Sequence, residues 1–180
     1  WPTNPPKPFP NSQILSGIKK FQLPDDFDDT FIVYLSENSS DSINEKLKER
    51  MKVHTNNHSK QIFSTYELYR KYDAYDTWFG KNMNLEFDIC VHANTLLWVF
   101  NKNLPLNHYD SATIDLIIHQ INNKDHLNNP LILSPSYQTS SLILYHLARL
   151  IADSKHQKLT ELKQTIVSDI VLLFPKIKND

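Results

Sequence analysis

Asp88-Ile89-Cys90-Val91-His92-Ala93-Asn94-Thr95-Leu96-Leu97-Trp98-Val99-Phe100 decides the fold class. Ile89, Ala93, Leu96, Leu97 and Phe100 fall at i, i+4, i+7, i+8 and i+11, the spacing of a helix face, and Asp88 stands where an N-cap belongs. The same period recurs on both sides. Downstream, Ile114, Ile117, Ile118 and Ile121 place a helix over 109–122, and the Asn122-Asn123 pair ends it. A loop through Asn128-Asn129-Pro130 and Ser134-Pro135 then leads to a helix over 136–153, apolar around nearly its whole circumference and so expected to be buried on all sides. A last helix over 157–174, one-sided through Leu159, Leu162, Ile166, Ile170 and Leu173, is expected to lie outside and to stop at Pro175.

Upstream, Phe31, Ile32 and Leu35 mark a helix from Asp28 to about residues 37–40, and Ile43, Leu47, Arg50/Met51 and His54 mark a second from Asp41. Residues 61–84 are dense in aromatics; 71–79 read as extended, and the state of the whole segment stays open. The sum is six helices joined by short connections, hence antiparallel hairpins in one all-α domain over 23–180, with inner and outer layers. Residues 1–22 read separately. Five of the ten prolines lie in 1–10, which predicts an extended arm.

Composition narrows the function classes. A formal net charge of −1 and the absence of a basic run argue against a nucleic-acid partner. No apolar run reaches the roughly 20 residues of a membrane span, so a soluble chain without a transmembrane segment is expected. The single cysteine, Cys90, rules out an internal disulfide and leaves the compartment unknown, with the cytoplasm favoured. Trp1 in place of Met leads to the expectation of a processed or truncated start.

One patch looks chemical: Leu23-Pro24-Asp25-Asp26-Phe27-Asp28-Asp29-Thr30, four carboxylates at the mouth of an apolar helix. Clustered acids raise one another's pKa, and in a dry cavity one of them could stay protonated and act as a general acid. The competing reading is that they cap the helix and complement its dipole. Asp25, Asp26 and Asp29 also fit the spacing that presents oxygens to Mg²⁺, although Pro24 argues against a helical Asp25 and no second acidic motif faces it. His54 and His58 stand at i, i+4, but Asn56-Asn57 interrupts the helix, so a solvated pair is expected and no metal site. His92, Asn94 and His146 lie on apolar helices as hydrogen-bonded core or lumen residues. The aromatics from Tyr66 to Phe79, with Tyr137, either line a cavity for an apolar or carbocationic ligand or form core. No phosphate loop or nucleophile motif is present.

The acidic stretch, with Tyr75-Asp76-Thr77-Trp78-Phe79-Gly80-Lys81, Phe87-Asp88-Ile89-Cys90-Val91-His92-Ala93-Asn94, Leu133-Ser134-Pro135-Ser136-Tyr137 and Tyr145-His146-Leu147-Ala148-Arg149-Leu150, resembles a little-characterised bacterial branch of the α/α-toroid proteins related to terpenoid cyclases and protein prenyltransferases. The resemblance implies a toroid or partial toroid around an apolar cavity. It implies Asp28 as the proton-donating acid with Asp26 and Asp29 beside it, and Trp78, Asp88, His92, Tyr137 and His146 at a ligand. An apolar or isoprenoid small molecule would be the partner, with no cofactor beyond an optional Mg²⁺. The chain departs from the squalene-type cyclases in lacking their repeated Gln/Gly/Trp motifs and in its two glycines and short length. The alternative function is a non-catalytic helical scaffold that binds a peptide or protein partner.

Overall fold

The computed structural model describes residues 26–58, 60–80 and 83–177. The expected Pro-rich arm over 1–22, together with Asp25, Lys81 and the last three residues, lies outside the described residues.

The described chain is all-α. Helix α1 (Phe27–Ser36) starts where the Asp26 carboxylate accepts from Asp29 N at 2.7 Å, and it buries Phe27 and Phe31 one turn apart. Helix α2 (Asp41–Met51) buries Asn44, Leu47, Lys48 and Met51, whereas Ile43 is exposed. The inner stripe is thus rotated from the expected one, because a buried Lys48 and Asn44 are invisible to a search for apolar residues. His54 falls beyond the helix end.

The described residues of 61–84 are non-helical apart from a 3₁₀ turn at Glu67–Tyr69, and 72–79 are irregular with isolated bridges at Tyr75 and Trp78. Isolated bridges pair Asp26 with Trp78 and Thr55 with Tyr75, so this segment ties the start of α1 to the end of α2.

Helix α3 (Ile89–Asn101) is the centre of the molecule. Every residue from Ile89 to Val99 is buried, and α3 packs against α1, α4 (His108–Asn122) and α7 (Ser140–Asp153). Its Ile89, Cys90, Ala93, Leu96 and Leu97 face one apolar cluster shared with α4, α7 and α9 (Lys163–Ile177). Val91, Trp98 and Val99 face another, built with α1, α2 and the aromatic segment. A helix between two apolar clusters must be apolar on both faces, which explains its composition.

The sequence assigned that enclosed position to the helix over 136–153, and this is corrected. In α7, Ile143, Leu144, Leu147, Leu150 and Ile151 are buried, but Leu142 is 41% and Tyr145 57% exposed. The helix also begins four residues later than expected, because Thr139 caps it by accepting from Leu142 N. The one loop expected before α7 holds two one-turn helices, α5 (Asp125–Asn128) and α6 (Pro130–Leu133), and Pro130 fits the first position of α6 since no helical partner for its nitrogen is needed there. The final helix is split into α8 (Gln157–Thr160) and α9, and α9 passes through Pro175 rather than stopping at it.

Two polar clamps, each built on a buried aspartate, join these elements. Lys48 pairs with Asp110, which also accepts from Tyr75 Oη at 2.9 Å and Asn107 N at 2.7 Å and closes the capping box of α4. Asp169 of α9 accepts from Lys124 at 2.8 Å and bonds His126 Nε2 at 2.8 Å. No helix of the described residues is long and apolar enough to cross a membrane.

Candidate functional site

The first turn of α1 separates the three aspartates. Asp26 is the N-cap, and Asp29 is exposed with its amide on Asp26. Asp28 turns inward, half-buried, and both of its oxygens accept hydrogen bonds: Oδ1 from Asn94 Nδ2 at 2.6 Å and Oδ2 from the Tyr137 hydroxyl. Asn94 lies buried in the middle of α3, so its amide must find partners across the helix interface.

It finds them on α7. Asn94 Oδ1 accepts from His146 Nδ1 at 3.1 Å and from Arg149 Nη1 at 3.3 Å. Because the amide nitrogen of Asn94 is committed to Asp28, its oxygen faces α7, and an oxygen can only accept. His146 therefore carries its proton on Nδ1, leaving Nε2 as an acceptor. Burial lowers the His146 pKa, opposed by the Asp28 charge and assisted by Arg149, so the ring is neutral near pH 7. The Tyr137 ring lies 4.8 Å from the His146 ring and closes the circuit. Burial and then Asp28 push the Tyr137 phenol up, so it serves as a donor and not as a base.

Asp88 adjoins this cluster. Its Oδ1 accepts from Cys90 N at 2.9 Å and Ser134 Oγ at 2.7 Å, its Oδ2 from Ser136 N at 3.1 Å, so it caps α3 and pins the turn that presents Tyr137. Burial, and next the Asp88 charge, raise the Cys90 thiol far from its reactive range.

The structure thus brings together Asp28, Tyr137 and His146, with Asp88 supporting them. His92 lies elsewhere. It is fully buried, its Nε2 donates to the Tyr75 carbonyl at 2.7 Å, and its ring meets Phe87 at 5.5 Å. Burial lowers its pKa to about 4, as suits a neutral clip between α3 and the aromatic segment. Trp78 is half-buried and pairs through its backbone with Asp26. Arg149 was not singled out from sequence; the signal was a lone cation on an apolar helix.

Among the described residues no three His, Cys, Asp or Glu side chains gather in a way that could hold a metal ion, and Asp25, needed for the Mg²⁺ spacing, lies outside them. A cavity of about 530 Å³ is lined by His54, His58, Lys60 and Asp76, and a second of about 520 Å³ lies at the end of α3; Asp28 lines neither.

Asp76 is buried in the wall of the first cavity, and its Oδ1 accepts from Thr77 N at 2.8 Å and Glu86 N at 3.0 Å. Burial raises its pKa from 3.8 to about 6, against the pull of those backbone donors. A raised acid pKa means that the folded state binds the extra proton, so this contribution is complete below about pH 4 and is lost as pH rises through about 6. His92 works in the opposite sense over nearly the same window, so the two must be separated by mutation. Asp76→Asn keeps an acceptor for both amides without the buried charge. By chemical denaturation, its stability relative to the parent chain should rise by up to about 3 kcal/mol between pH 4 and pH 7. A difference that does not change with pH would contradict this.

No family model, no curated protein and no solved structure matches the chain.

Proposed function

We propose that the chain is a non-catalytic helical recognition module, and that the surface beside the Asp28 cluster takes an apolar polypeptide segment carrying a carboxylate. The observation that carries this reading is the state of Arg149. Its guanidinium stacks over the exposed Tyr145 ring at 5.6 Å and is held by Asn94, yet no carboxylate among the described residues pairs with it. A half-buried guanidinium with donors to spare is suited to bidentate capture of a carboxylate.

The surroundings supply the apolar part. Leu142, Tyr145 and Arg149 fall at i, i+3 and i+7 on α7, and on α1 the exposed Ile32 stands one turn after Asp28. Aromatic and Arg side chains over a prepared polar support are what interface anchors are made of. An extended or helical segment suits a surface on which Leu142 and Tyr145 are exposed better than an enclosed small molecule does.

Acid catalysis receives less support. Protonation of an alkene needs a carboxyl aimed into apolar space, and both Asp28 oxygens instead face donors of the protein. The partial α/α toroid implied by the motifs stays within this proposal; an enclosed α3 flanked by α1, α4 and α7 is what supports a layered arrangement.

The test uses a fluorescent probe peptide of alternating Leu and Glu, and its Lys counterpart, followed by anisotropy against the full chain. The Glu peptide should bind saturably and the Lys peptide should not. Arg149→Gln should weaken binding about tenfold, and Tyr145→Ser should weaken it while leaving stability within about 0.5 kcal/mol. Equal binding of both peptides, or turnover of a polyprenyl substrate that Asp28→Asn abolishes, would overturn the reading.

A further inference from the structure

The second cavity is built differently from the surface described above. Its apolar lining is Phe100 at the end of α3 with Leu104 and Leu106 from the connection to α4, and Lys155 and His156 from the linker between α7 and α8 complete it. The connection is shaped by Asn103, whose positive φ of 50° turns the chain so that Leu104 N donates to Val99 O at 3.0 Å. That turn directs Leu104 and Leu106 back beside Phe100. The His156 ring stands 6.3 Å from the Phe100 ring, tilted by 35°, so the two rings form one corner.

The charge of the lining is one-sided. Among the described residues that line it, Lys155 and His156 are the ionisable groups and Asn101 and Asn103 the amides, with no acid among them. Lys155 has no ion-pair partner among the described residues, while the neighbouring Lys102 is committed to the Glu37 carbonyl at 2.8 Å. The other cavity lacks this character: Asp76 offsets its cations, and Lys60 already donates to Met83 O at 2.9 Å.

A space of about 520 Å³ lined by Phe100, Leu104 and Leu106 together with Lys155, His156 and two asparagines has the size and mixed polarity of a small-ligand site. We propose that it binds a small aromatic or branched aliphatic carboxylate, the hydrocarbon against Phe100, Leu104 and Leu106 and the carboxylate beside Lys155 and His156. A phosphate without an apolar body would leave the corner unused, and an amine would meet the ammonium. The site is separate from the Arg149 surface, so each can fail without the other.

The probe is 4-phenylbutyrate, with 4-phenylbutylamine as its charge-reversed counterpart, titrated into the full chain while amide shifts are followed by ¹H–¹⁵N NMR. The carboxylate should bind with a Kd on the order of 1 mM or tighter and shift the amides of residues 100–106 and 155–156. The amine should not. Lys155→Glu, an exposed position, should weaken the carboxylate about tenfold, and the exposed Leu106→Asp should do the same through the apolar wall, both with an unchanged thermal midpoint. Shifts that map elsewhere, equal affinity for acid and amine, no saturable binding, or indifference to both substitutions would each overturn the assignment.

Discussion

Asp110→Ala should cost the domain about 3–5 kcal/mol in urea denaturation, a large part of the roughly 5–15 kcal/mol that holds a domain folded. Asp110 is fully buried and receives Lys48, Tyr75 Oη and Asn107 N together. Removing it leaves an ammonium in a dry site with no counter-charge and opens the capping box of α4. Burial already lowers the Lys48 pKa, with Asp110 opposing. Without Asp110 the folded-state pKa falls further below the unfolded one, so the missing stability should be regained as pH rises toward 10 and Lys48 gives up its proton. Lys48→Met added to Asp110→Asn should recover most of the loss, since a buried pair is replaceable by matched neutral groups. A loss under about 1 kcal/mol for Asp110→Ala would show that the pair does not join α2 to α4.

Trp98→Ala should cost a similar amount, about 3–5 kcal/mol, through the cavity it leaves. The indole is fully buried between α3 and α1, with its ring 4.8 Å from Phe31 and tilted by 34°. Its Nε1 has no hydrogen-bond partner among the described residues. Trp98→Phe should therefore cost far less than Trp98→Ala, because it keeps a ring against Phe31 and removes an unpaired buried donor that itself costs about 1–3 kcal/mol. Denaturation midpoints of the two variants give the comparison. Equal losses would contradict this, because they would mean that the ring volume kept by Phe contributes nothing.

These two residues mark the limits of what could be read from the chain. Trp98 belongs to a helix whose start and period were legible, because Asp88 and the apolar spacing are local signals. The Lys48–Asp110 pair was not legible, since 62 residues separate the partners and each looks like an ordinary exposed charge on its own helix. The same blindness rotated the stripe of α2. In α7 the apolar pattern was read correctly and its burial was not: Leu142 and Tyr145 look like core in a periodicity and stand at the surface in the fold.

The candidate site divides similarly. Asp28, Tyr137 and His146 were chosen from motifs far apart in the chain, and the structure gathers them around Asn94. Asp28 was expected either to point into an apolar cavity or to cap its helix. Asp26 takes the cap, and the Asp28 oxygens accept from Asn94 and Tyr137. His92 shared a motif with Asn94 but lies two residues away on the helix, which directs it to Tyr75 instead.

Everything proposed for the Arg149 surface rests on Asp28 being a structural acceptor that fastens α1 to α3 through Asn94. A double-mutant cycle of Asp28→Ala and Asn94→Ala, read by chemical denaturation, tests that most directly. The single losses should be non-additive, with a coupling of about 1–3 kcal/mol. Losses that add to within about 0.5 kcal/mol would contradict it and return Asp28 to the role of a surface acid at the head of its helix.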